Sequence, residues 1–235
     1  MKLTQITSAI LMTGAVSLPL SVNAQELEIS IKNLTHGITF TPLLIAAHDN
    51  NTHLFEVGTQ ADMALQKMAE GGDISELDTM VMANDGLSIT NPAEGLLAPG
   101  AEISQIMFDT QDQSHLSITA MMLPTNDAFI GLDSWAIPST AGTYTFTLNA
   151  YDAGTEINDE IINGGGALGT PGIPAAPQGD AGSNATGVMD MSSNDSVHIH
   201  PGILGDTDLD GGMSDLDSRV HRWLNPVAQV TVIVK

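Results

Sequence analysis

Short runs in which apolar and polar residues alternate recur along the chain. Leu27 to Ile31 (LEISI) is the first, followed by Ile103 to Phe108, Leu116 to Met122, Thr143 to Leu148, Val197 to His200 and Val227 to Val234 (VAQVTVIV). Gly, Pro, Asn or Asp bounds each run, so these segments read as strands between turns. One segment breaks the period of two. Gln60 to Glu70 (QADMALQKMAE) sets Met63, Leu65, Met68 and Ala69 near helical spacing and stops at Gly71 and Gly72, which predicts a short helix. Many short strands with one helix predict an all-β fold, an antiparallel β-sandwich or barrel with long loops. From Gly164 to Gly187 the pattern dissolves into Gly, Pro, Ala and small polar residues, which predicts a long, flexible surface loop over 164–187.

The first residues follow a different logic. Lys2 is followed by an apolar run from Ile6 to Leu20 and by small residues through Ala24. This predicts a cleaved secretory leader over 1–24 and a secreted or periplasmic mature chain over 25–235. Gly14 and Pro19 interrupt the run, which is too short for a spanning helix of about 20 apolar residues, and no later segment approaches that length. About 210 residues remain, enough for one all-β domain with a sizeable core.

Charge narrows the partners. Six Lys and Arg stand against 28 Asp and Glu, a net charge of −22. Such a field repels nucleic acid and anionic membrane and concentrates cations. Cysteine is absent, so an exported chain of this kind is held by its core, alone or with metal, and not by disulfides.

Two acidic stretches flank one expected hairpin: PTNDAFIGLDS (Pro124 to Ser134) and YDAGTEINDE (Tyr151 to Glu160). Asp127 and Asp152 lie on loops that a strand pair would bring to the same end of a sandwich. Carboxylates converging there repel one another unless a hard cation sits between them, and Ca2+ takes six to eight oxygens. The alternative is a pair of solvated turns, and spacing alone leaves both open.

PTNDAFIG, YDAGTE and HRWLNPVAQVTVIV (His221 to Val234) resemble the spondin domain, the module of F-spondin and mindin and of many secreted bacterial proteins. LTHGITFTPLLIAAHD (Leu34 to Asp49) and LFEVGTQA (Leu54 to Ala61) resemble its bacterial branch, so the resemblance spans nearly all of the mature chain. It implies a C2-like antiparallel β-sandwich, a Ca2+ ion held by acidic side chains on loops at one end, and no known catalytic activity. The implied ligands are Asp127, Asp152 and Glu156. Glu156 stands where animal members carry Asp, the cysteines of those members are missing, and the 164–187 insertion leaves their ligand-binding surface without a counterpart. The implied role is a calcium-binding adhesion module for an extracellular glycan, matrix or protein ligand.

Two further groups compete for metal. DTDLDGGMSDLD (Asp206 to Asp217) places Asp206, Asp208, Asp210 and Asp217 at positions 1, 3, 5 and 12 of a calcium loop, with Gly211 at position 6. Met213 at position 8 would be its apolar anchor. The preceding SVHIHPGILG reads as a strand and a turn, so this is not an EF-hand. It is a second calcium loop or an aspartate-rich turn that caps its own backbone. His198 and His200 are two apart on a strand and share a face; with His221 or His115 they would make a zinc or copper site, extended toward copper by Met189 and Met191. Polar residues facing water are the plainer reading. No Ser/His/Asp, Cys/His or zinc-hydrolase motif stands at recognisable spacing, so a binding module is expected over a metal-dependent enzyme. Trp223 is expected to pack on the core, with Asn225 and Pro226 turning the chain into its last strand.

Overall fold

The computed structural model describes residues 25–177, 182, 184–189, 195–208 and 210–235. The expected leader, Met191 and part of the 164–187 loop lie outside them.

Alternation does what it predicts at the two ends of the described chain. In β1 (Glu26–Asn33), Leu27, Ile29 and Ile31 are fully buried between polar neighbours, and in β10 (Ala228–Val234) Val230, Val232 and Val234 repeat the pattern. These two strands pair along their length, Ile29 opposite Val232. β5 (Glu102–Asp109) closes the other edge of β1, and β10 pairs on its far side with β8 (Gly142–Asp152).

A second group of strands continues the ladder: β4 (Leu87–Thr90), β3 (Leu44–His48), β6 (His115–Leu123) and β7 (Ala128–Ala136), in that order and all antiparallel. β2 (Thr39–Phe40) adds to β6, and β9 (His198–Ile199) adds to β8. β8 belongs to both groups. Its first part, through Leu148, pairs with β10, and Asn149 to Asp152 pair with β7. The expected all-β class is therefore the observed one.

Alternate residues of the middle strands enter different cores. Ile45, Ile118 and Ile130 meet Ile29, Val230 and Val232 of the first sheet in the larger core. Leu44, Met121 and Phe129 point the other way, into a second core roofed by two helices. α1 (Met63–Gly71) supplies Leu65 and Met68, and α2 (Ser75–Ala83) supplies Leu77 and Val81. The expected helix is α1. The Asp62 carboxylate caps it by accepting from Leu65 N–H at 2.8 Å, and Gly72, at φ 72°, ends it in the left-handed region where a side chain is strained.

Several expectations are corrected. α2, β2, β3, β4 and β7 are additions to the expected elements. The strand expected over Val197 to His200 is only His198–Ile199, because Val197 turns away to bond with Gly58 and Thr59. The 164–187 segment is anchored in part: Ile173 is fully buried and bridges Ile162. Among the described residues no helix is long and apolar enough to cross a membrane.

Candidate metal centre

Asp127 closes the connection between β6 and β7, and Asp152 closes β8. Ala128 pairs with Asp152, so the two carboxylates leave adjacent antiparallel strands at the same end. Thr125 holds the approach to β7: its hydroxyl donates to Met122 C=O and accepts from Ala128 N–H. Beyond Asp152 the chain folds back over the strand ends. Thr155 N–H and Glu156 N–H donate to Asp127 Oδ2 at 2.8 and 3.1 Å, while Gly154 N–H and the Asn158 amide donate to Asp152 at 2.8 and 2.7 Å.

This fold-back buries the acids. Asp127, Asp152 and Glu156 are all buried, as is Glu70 at the end of α1. Burial, reinforced by the charge of Asp152, pushes Asp127 up to about 7; burial likewise pushes Glu156 up to about 7, with Glu70 and Asp127 adding repulsion. A Gly-rich segment braces the far side, where Gly172 N–H donates to Glu156 Oε2 and Gly169 N–H to Glu70 Oε2. Asn126 ties the group together by donating to Asp159 and Glu156 and accepting from Glu160 N–H.

Whether these residues suit a cation is decided by what their oxygens lack. Asp127 Oδ1 and Glu156 Oε1 are buried with no hydrogen-bond partner. Among the described residues neither acid forms an ion pair with Lys or Arg: Lys67, Arg219 and Lys235 engage Glu76, Asp217 and Glu28, and Lys32 and Arg222 form no ion pair there. A buried acceptor without a donor is costly, and all-oxygen donors suit a hard cation. The acids are not closed to ligand spacing: among the described residues no group of three or more His, Asp and Glu is set to hold a metal as it stands.

The Spondin_N family model matches residues 32–160, more than half of the chain. The chain belongs to the Spondin_N family. No curated protein matches the chain. The Spondin_N match contains Glu70, Asp127, Asp152 and Glu156, whereas His198, His200 and Asp206 to Asp217 lie beyond it.

His198 and His200 do share a face, and it is the face of Asp152. Their Nε2 atoms lie 4.0 and 3.8 Å from Asp152 Oδ2. His200 is buried against Trp223, and burial holds its imidazole down to about 4, so the ring is neutral. Gly202 N–H donates to His200 Nδ1, which places the ring's own proton on Nε2. That tautomer has no Nε2 lone pair for a transition metal. His221 uses Nδ1 to accept from Asp217 N–H, and His115 opens β6 at the end remote from Asp127, stacked on His48. Met189 is exposed.

The loop from Asp206 to Asp217 gives its carboxylates partners of its own. Asp206 accepts from the N–H groups of Asp208, Met213 and Ser214, and Asp208 accepts from Asp210 N–H. Arg219 grips Asp217 and lowers it to about 2. Met213, expected as a buried anchor, is 59% exposed; Leu216 takes the buried place, because the bridge between Asp206 and Asp217 turns it inward.

Two braces were not singled out from sequence. Glu70 carried only its place at a helix end. Glu160 is buried and accepts from Leu204 N–H, Gly205 N–H and the Ser214 hydroxyl, bonds to residues more than forty positions away that no local pattern announces.

Proposed function

We propose that this Spondin_N chain is an exported, non-catalytic calcium-binding module that engages an extracellular glycan, matrix or protein ligand. Asp127, Asp152 and Glu156 would hold Ca2+. The observation that carries the reading is the pair of buried carboxylate oxygens, Asp127 Oδ1 and Glu156 Oε1, left without a donor in a buried group of acids. Bound Ca2+ supplies positive charge and accepts those oxygens, which offsets the repulsion that raises both acids. The N-terminal pattern supports export.

Calcium titration of the mature chain, by calorimetry and by melting temperature, tests this. A ligand that binds only the folded state stabilises it by about 2.7 kcal/mol at a hundredfold excess over Kd. Calcium is expected to raise the melting temperature and a chelator to lower it, with magnesium a poor substitute because it demands tighter octahedral geometry. Asp152→Ala should remove the response; a variant that responds like the parent would overturn the assignment.

A further inference from the structure

We propose that the groove beside β9 binds an extended apolar peptide carrying a single carboxylate. The groove, of about 450 Å3, is lined by Asn158, Met189, His198, Ile199, Leu204 and Arg222 among others. Met189, Ile199 and Leu204 are large apolar side chains left exposed together, a concentration that marks an interaction surface.

The backbone says what shape fits. His200 N–H donates to Ala150 C=O at 3.0 Å, so the facing pair Tyr151 and Ile199 is a non-hydrogen-bonded one. Ile199 therefore turns its own N–H and C=O away from β8, and among the described residues neither has a backbone partner. A strand laid along β9 takes both, and its alternate side chains meet the apolar wall.

Charge says what the strand carries. Arg222 is exposed and makes no ion pair among the described residues, whereas Lys67, Arg219 and Lys235 each hold a carboxylate. Glu160 lines the same groove but does not compete, because its oxygens are taken by Leu204 N–H, Gly205 N–H and the Ser214 hydroxyl. A carboxylate on the peptide completes Arg222 with a charge-assisted hydrogen bond. The net charge of −22 disfavours a partner with several acids, so one is the fit.

The test uses an N-acetylated valine-serine-valine-serine-valine peptide with a free C-terminal carboxylate, its uncharged amide, and the mature chain in chelator, read by isothermal titration calorimetry. Chelator makes the outcome independent of the calcium reading. Saturable binding is expected, with the amide about fivefold weaker, the upper range for an exposed ion pair. Arg222→Gln should weaken the acid by the same factor and leave the amide unchanged, and Ile199→Asp should abolish both. Absence of saturable binding, equal binding of acid and amide, or indifference to Arg222→Gln would overturn the proposal.

Discussion

Asp127 sits between two opposed demands. Three donors from Thr155 and Glu156 favour its charge, while burial and Asp152 disfavour it, and the second pair prevails, since its carboxyl rises from the usual 3.8 to about 7. The folded chain thus holds a proton that the unfolded chain releases near pH 4. The stability from that proton is full below about 3.8 and is lost as pH rises through 7. Asn cannot ionise and loses nothing. In chelator, Asp127→Asn is therefore expected to melt with the parent at pH 4 and above it at pH 8. In saturating calcium the order should reverse, because the variant lacks a ligand. Calorimetry at the two pH values, with and without calcium, checks both halves. Asp127 and Asp152 were legible because each stands in a short acidic motif beside a strand. Glu70 and Glu160 were not, because their meaning comes from N–H groups of distant loops.

Most elements that alternation revealed have one face in a core; β6 lies between two cores and still alternates, because Ser117 and Thr119 fall between Leu116, Ile118 and Ala120. β1, β10 and the first part of β8 border the larger core on one side only. β3 and the start of β7 lie between two cores, so both faces are apolar and the period of two vanishes from LIAAH and AFIG. α2 escaped notice because its two buried residues, Leu77 and Val81, are all the apolar stripe it needs as a roof. At the end of α1, a Cβ on Gly71 would run into the Gly166 carbonyl, which belongs to the Gly-rich segment bracing Glu70 and Glu156. Gly71→Ala gains up to about 1 kcal/mol of helix propensity, while such overpacking costs typically 1 to 3 kcal/mol. The clash with backbone should prevail. Urea denaturation is expected to show net destabilisation, and calorimetry a weakened calcium affinity, since Gly172 and Gly169 are drawn off their carboxylates.

Over the whole molecule, 28 acids against six bases repel one another in the compact state. Raising salt from about 0.1 to about 1 M shortens the screening length from about 10 to about 3 Å. The melting temperature in chelator is therefore expected to climb with sodium chloride in the parent and in Asp127→Asn alike, whereas millimolar calcium should add a further rise in the parent alone. Scanning calorimetry separates the general effect from the specific one. Sequence announced this charge but not how strands join across it, since no local signal says that β8 serves two sheets. The place of β10, between β1 and β8, sets an order in time. β1 is among the first strands made, yet one of its edges and one edge of β8 stay open until residues 228–234 have left the ribosome. At about 5 to 20 residues per second, the chain spends roughly ten seconds or more with that seam unsewn. If the chain is exported, as proposed, this delay is useful, because a sandwich that cannot close early is still a thread when it reaches the translocation pore.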